Sequence, residues 1–216
     1  IDSEEKAYWL GFIYADGCMS NNRLQIDLSC KDKEHLTSFA KSLETNIPIR
    51  EIMRKTKDKN HLKAFFRIVS KKLTDDLRNL GVYERKSFTI TFPEIEKVPT
   101  ILQHHFIRGY VDGDGCFMVK QRKNRPSLSH SFKVIGATKF IEKIQNIFEN
   151  CKTTKVKLDL YVPNPNLATV SYQGRLNVEK IYKYLYSDSS IWLDRKKNIA
   201  IQSTYVPTNK RTQKVC

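Results

Sequence analysis

The sequence predicts an α+β fold in which one αββαββα unit is stated twice, each copy forming a four-stranded antiparallel sheet. Three observations lead there. "WLGFIYADGC" (9–18) is echoed by "IRGYVDGDGC" (107–116), each an apolar stretch ending in a small residue, Asp, Gly and Cys. Both copies lead into segments that alternate apolar and polar residues, as half-buried strands do. The order helix, two strands, helix, two strands, helix then recurs in each half.

The elements follow in order. Glu4 to Gly17 and Pro99 to Gly115 read as helices, with Ala7, Leu10, Gly11 and Tyr14 in the first and Leu102, Phe106, Gly109 and Tyr110 in the second. Each stops at Asp-Gly, where glycine is expected to take the left-handed conformation. Hairpins come next. Asn21-Asn22 marks a turn before a strand that sets Leu24, Ile26 and Leu28 against Arg23, Gln25, Asp27 and Ser29. In the second half, Phe117 to Arg122 and Leu128 to Ile135 flank the basic loop Lys123 to Pro126. Amphipathic helices are marked by Leu36, Phe39, Ala40 and Leu43, and by Phe140, Ile141, Ile144, Ile147 and Phe148. Further strands are expected at 49–54, 61–70, 155–162 and 167–173. In the third of these, Val156, Leu158, Leu160 and Val162 would face a core. Closing helices run over Lys71 to Leu80 and Arg175 to Tyr186. The expected domains are 1–95 and 96–202, followed by a basic tail at 203–216.

Of 216 residues, 38 are Lys or Arg and 23 Asp or Glu, a net charge of +15 that suits a polyanionic partner. No apolar run approaches the roughly 18 to 20 residues that span a bilayer, and no signal-peptide pattern opens the chain, so a soluble intracellular protein with no membrane partner is expected. The five cysteines include no C-x-x-C pair, which excludes a disulfide framework or zinc knuckle. His104 and His105 are expected on different helix faces, leaving no histidine metal cluster.

One face of each sheet would pack on the helices, and the other would carry polar groups suited to phosphates and base edges. The candidates for DNA contact are Arg23, Gln25, Asp27, Lys63 and Arg67 in the first half. Lys120, Arg122, Ser129, Ser131, Lys133, Lys155 and Lys157 are those in the second. Two sheets in tandem, with strands of about eight residues, reach on the order of 50 Å. That spans roughly 15 base pairs.

Gly11 and Ala15 lie four apart, as do Gly109 and Gly113, so each helix has a strip of nearly bare backbone on which a partner helix can pack. Parallel packing would bring Asp16 and Asp114 together at two helix C-termini, where the carboxylates repel each other and the helix dipoles repel both. A divalent cation would compensate, and ligands that are all oxygen favour Mg²⁺ over Zn²⁺. A metal shared by two acids in a basic groove suits phosphodiester hydrolysis.

"LGFIYADG" (10–17) and "RGYVDGDG" (108–115) resemble the paired motifs of the LAGLIDADG homing endonucleases of the single-chain, two-motif type. The resemblance covers nearly the whole chain. It implies a DNA-binding saddle around a central two-helix interface formed at Gly11, Ala15, Gly109 and Gly113. It also implies that Asp16 and Asp114 are the metal-binding catalytic acids. Family members keep basic residues near each metal, and "ERKS" (84–87) and "DRKK" (194–197) make Lys86 and Lys196 the candidates here. Tyr14 departs from the motif's first Asp, which Asp112 keeps, so the two helix ends should be braced differently. A polar site position often found at the end of the second strand would fall near Cys30 and Gly136, neither of which is polar.

The resemblance implies a monomeric, intron-encoded enzyme making a staggered double-strand break in a long DNA target. Mg²⁺ would be the cofactor, Mn²⁺ would substitute, and Ca²⁺ would bind without supporting cleavage. The alternative is a non-cleaving nucleic-acid binder, either a group I intron maturase with intron RNA as partner or a regulator derived from the same scaffold.

Overall fold

The computed structural model describes residues 1–55, 60–121 and 127–204. Helix α1 (Glu4–Asp16) begins where Ser3 Oγ accepts the Lys6 N–H, with Glu4 and Glu5 in its first turn. Both features favour a helix N-terminus. Every residue from Ala7 to Tyr14 is buried, and a helix covered on all sides belongs at the centre of a core. Strands β1 (Gly17–Ser20) and β2 (Arg23–Ser29) form the hairpin, whose Asn21 has φ 52°, a conformation asparagine tolerates. Helix α2 (Lys33–Ser42), strands β3 (Arg50–Lys55) and β4 (Asn60–Val69), and helix α3 (Lys71–Asn79) complete the first repeat.

The second repeat runs through α4 (Gln103–Asp114), β5 (Gly115–Gln121), β6 (Leu128–Ala137) and α5 (Thr138–Asn150). It continues with β7 (Asp159–Leu160), β8 (Leu167–Gln173), α6 (Arg175–Tyr186) and α7 (Asp194–Thr204). The antiparallel sheets have matching orders, β1-β2-β4-β3 and β5-β6-β8-β7. Register sets Leu24, Ile26 and Leu28 opposite Ile68, Phe66 and Ala64, and Phe117 opposite Phe132, which pairs in turn with Tyr172. These residues line the helix side of each sheet. Burying a side chain such as Phe66 or Phe132 fully contributes about 1.5–3 kcal/mol relative to leaving it exposed.

Helices α1 and α4 pack backbone to backbone at the centre. A Cβ added at Gly11 would lie 1.9 Å from the Phe106 carbonyl oxygen, and one at Gly109 would lie 1.9 Å from that of Tyr8. No larger residue fits either crossing point.

Several expectations need correction. Gly17 and Gly115 are extended, with φ of −71° and −91°, rather than left-handed. Each begins a strand at once, and space rather than φ requires glycine: an added Cβ would lie 2.6 Å from Ile13 O or 2.7 Å from Val111 O. The strand expected over 155–162 shrinks to Asp159–Leu160. Nearby backbone groups bond side chains instead, Thr154 N–H donating to Asn177 Oδ1 and Val156 O accepting from Gln145 Nε2. Val156 and Leu158 still pack on the core, but Leu160 and Val162 are exposed. Helix α7 was not expected. It buries only Ala200 and Ser203, too short a stripe to read as amphipathic, and it runs past the 202/203 boundary. Residues 205–216 lie outside the described residues.

Candidate active site

Asp16 and Asp114 are the last residues of α1 and α4, and the strands that follow leave the helices immediately. The helix crossing brings them near each other. A Cβ on Gly113 would lie 2.3 Å from Ala15 Cβ and 3.1 Å from Asp16 Oδ2, so the Asp16 carboxylate rests against the turn that carries Asp114. Burial first, and the Asp114 charge second, push the Asp16 carboxyl up to about 6, while Lys196, Lys86 and Lys63 pull it down. Asp114 is raised by its crowding among protein atoms, although the residue remains exposed to solvent; Lys86 and Lys196 oppose the shift.

Two lysines flank this pair in matching ways. Lys86 follows Arg85, whose φ of 57° turns the chain, and is 7% exposed. Its Nζ donates to Ala15 O at 3.2 Å. Lys196, on the first turn of α7, donates to Gly113 O at 3.2 Å and also to Gly115 O. Each lysine thus binds the carbonyl just before a motif acid. Burial lowers both ammonium groups, and the two acids raise Lys86 in opposition. Among the described residues no donor hydrogen-bonds either motif carboxylate, so all four oxygens keep their lone pairs. Free, crowded carboxylates raised above their ordinary range fit a hard divalent cation.

The two helix ends are braced by different chemistry. Tyr14 donates to Leu80 O at 2.6 Å and packs edge-on to Phe106. Asp112, 1% exposed, accepts from Tyr8 (2.8 Å), Tyr186 (2.7 Å) and Leu193 N–H (2.7 Å). Burial raises its carboxyl, and those three donors offset the shift. Tyr8 spends its proton on Asp112, so His35 Nε2, 3.0 Å away, is the donor to the Tyr8 oxygen. Burial lowers His35 to about 4, which keeps it neutral. Leu193 O in turn accepts Lys196 N–H, so the Asp112 brace holds the first turn of α7 in place.

Midway along α4, Arg108 is fully buried and donates to Glu4 (2.6 Å), Leu185 O, Ile191 O and His105 Nδ1 (2.8 Å). The His104 and His105 rings lie 3.8 Å apart, not on separate faces as expected, and His104 approaches Asp188 at 3.1 Å. This group has the composition of a metal cluster. Its geometry argues otherwise: Arg108 occupies the His105 Nδ1 lone pair, so Nε2 carries the proton.

The sheet faces opposite the helices hold most of the candidate contact residues. Register places Cys18, Arg23, Gln25, Asp27, Lys63 and Arg67 on one such face. Cys116, Lys120, Ser129, Ser131 and Lys133 share the other, although Ser131 is only 8% exposed. Lys155 and Lys157 are exposed but lie outside the sheet, a correction that follows from the short β7. Arg122 lies outside the described residues. Arg54 was missed, although Arg50, Ile52 and Arg54 alternate on β3; Arg54 reaches Asp27 at 2.9 Å. Asp112 and Arg108 were legible as residues but not as buried hubs, because their partners are distant in sequence.

Among the described residues no helix is long and apolar enough to cross a membrane. No family model matches the chain, and no curated protein does. Solved structures do. The homing endonuclease I-WcaI bound to its DNA recognition sequence is 13% identical, with a TM-score of 0.63 over 90% of this chain and 85% of that one. The meganuclease I-SmaMI bound to uncleaveable DNA is 10% identical, with a TM-score of 0.59 over 93% and 91%. The LAGLIDADG meganuclease I-AabMI bound to uncleaved DNA is 15% identical, with a TM-score of 0.57 over 91% and 89%. The duplicated sheets, the glycine-lined helix crossing and these likenesses agree: the chain has the LAGLIDADG homing endonuclease fold.

Proposed function

We propose that this chain is a site-specific, monomeric endonuclease that makes a staggered break in both strands of a long DNA target. The observation that carries the reading is the pair of carboxylates, Asp16 and Asp114, which accept no hydrogen bond among the described residues and which the helix crossing brings together between two lysines fixed to main-chain oxygens. The DNA in the similar structures supports duplex DNA as the substrate. Mg²⁺ held by Asp16 and Asp114 would supply the positive charge that activates water and stabilises the leaving oxygen in phosphodiester hydrolysis, with Mn²⁺ as a substitute.

The chain's own residues orient and hold. The helix crossing fixes the separation of the two acids, so that each can serve one strand. Lys86 and Lys196, with their protons kept by neighbouring carbonyls, place fixed positive charge where phosphate oxygens gain negative charge, a preorganised form of stabilisation. The outer sheet faces carry Lys and Arg to the flanking backbone and polar side chains to the groove.

The test is selection of duplex DNA from a random library in Ca²⁺, followed by exchange into Mg²⁺. A staggered double-strand cut that Asp16→Asn or Asp114→Asn abolishes at unchanged binding supports the reading. Normal cutting by either variant would falsify it.

A further inference from the structure

The outer face of the first sheet is already wired together. Arg67 Nη2 donates to Gln25 Oε1 at 3.1 Å, Gln25 Nε2 donates to Asp27 Oδ1 at 3.1 Å, and Arg54 Nη2 donates to Asp27 Oδ2 at 2.9 Å. The Arg67 guanidinium also lies over the Phe65 ring, 4.7 Å from its centroid. Register makes this possible, because Gln25 pairs directly with Arg67 and Asp27 with Phe65 across β2 and β4. The four polar side chains form one line across three neighbouring strands.

This wiring changes what each residue can recognise. A free glutamine reads adenine by presenting its carbonyl and amide together. Gln25 has given one carbonyl lone pair to Arg67 and one amide proton to Asp27, so its amide is held in one orientation and only half of its hydrogen-bonding capacity is left. Asp27 answers the charge of Arg54, with 26% of its side chain exposed against 53% for Arg54. Arg67 is different. It is exposed, and Gln25 takes only one of the five N–H donors of a guanidinium. Among the described residues it makes no other hydrogen bond. Phe65 beneath and Gln25 beside it hold the fork in one orientation, so little side-chain freedom is left to lose on binding.

We propose that Arg67 is a specificity-determining residue that reads a guanine through its O6 and N7 atoms in the major groove. Gln25 and Phe65 are positioning residues for that fork, and Asp27 sets the orientation of the Gln25 amide. The assignment rests on the DNA-binding reading above, which supplies the duplex but does not say which side chain reads which base. A fork-shaped donor matches the paired acceptors of guanine; adenine offers an acceptor beside a donor, which Arg67 cannot satisfy.

The test compares target selection in Ca²⁺ by the full chain, Arg67→Lys and Gln25→Ala. Arg67→Lys keeps the charge and removes the fork. It should hold overall affinity within a few-fold while preference for guanine at one position falls by roughly tenfold or more. Gln25→Ala should weaken the same preference without moving it to another base. The assignment is overturned if Arg67→Lys leaves every base preference intact, or if Gln25→Ala removes an adenine preference instead. Absence of any duplex selectivity in the unaltered chain would be a different result, overturning the DNA-binding reading and this assignment together. Circular dichroism of each variant separates loss of fold from loss of reading.

Discussion

Lys86 Nζ lies 3.2 Å from the carbonyl oxygen of Ala15 and makes no hydrogen bond to the carboxylate of Asp16, the next residue along the chain. Lys196 repeats the arrangement at Gly113 and Asp114. A lysine that closed on its neighbouring acid would neutralise it and compete with a cation. Held to the main chain, it leaves the acid open and remains a fixed charge.

Lys86→Met and Lys196→Met should therefore each slow cleavage by about a hundredfold at unchanged Ca²⁺-supported binding. Because the lysines flank different acids, each variant should accumulate nicked plasmid before linear product. Single-turnover digestion of supercoiled DNA reads this directly. Unaltered rates for both strands would remove the lysines from the mechanism.

The acids make the metal-free protein sensitive to pH. Burial, and then the Asp114 charge, push the Asp16 carboxyl up to about 6 in the folded chain, above the ordinary aspartate range, so the native state binds its proton more tightly than the unfolded state. Its contribution to stability is complete below pH ~4 and is lost as pH rises through ~6. Without divalent ions, Asp16→Asn should raise the melting temperature at pH 7.5, by at most about 3 kcal/mol of stability, and change little at pH 4. Adding Mg²⁺ should reverse the ranking, since only the unaltered site gains by binding. A melting temperature for Asp16→Asn at or below that of the parent in EDTA would contradict the burial argument.

Gly109→Ala tests the helix crossing. The new methyl would meet Tyr8 O at 1.9 Å, and all of its nearest neighbours are backbone atoms, with no flexible side chain to yield. The cost should exceed the roughly 1–3 kcal/mol usual for an overpacked core. Urea denaturation should show a lowered midpoint or no folded baseline. A stability within 0.5 kcal/mol of the parent, an allowance of about the size of a neutral surface change, would mean the crossing is looser than described.

Glu4→Gln tests the buried end of the same helix pair. Glu4 accepts from Arg108, from Ser190 N–H and Oγ, and from Ile191 N–H, tying the start of α1 to the chain after α6. Removing its charge strands the Arg108 guanidinium. The loss should be about 2–3 kcal/mol, below that for a wholly buried pair because 23% of the Glu4 side chain remains exposed. Arg108→Met in the same chain should recover part of it, as a double-mutant cycle would show.

Much of this architecture was legible in the sequence because it rests on short-range periodicity. The α6 range and the closing helix of the first half follow from apolar spacing, and the sheet faces from alternation at Leu24, Ile26 and Leu28. The helix crossing could be read because Gly11 and Gly109 are small where neighbouring positions are large. Elements set by distant partners were not legible. Val156 to Val162 alternate as a strand should, yet Gln145 and Asn177, on helices packed alongside, take the backbone groups near that segment's start. Helix α7 is likewise held by Asp112 through Leu193, a link no local window contains. The clustering of Asp16 and Asp114 followed from the repeat; the attachment of the lysines to carbonyls did not.

The unlike braces at Tyr14 and Asp112, and the unlike sheet faces beyond them, have a consequence for the shape of the target. A two-fold dimer presents one surface twice and so demands a palindrome. Here one half offers the Arg67–Gln25–Asp27–Arg54 line and the other offers Lys120, Ser129 and Lys133. On the proposed reading, the two arms of the cut site should spell different words, and replacing one arm with an inverted copy of the other, which makes a perfect palindrome, should weaken binding.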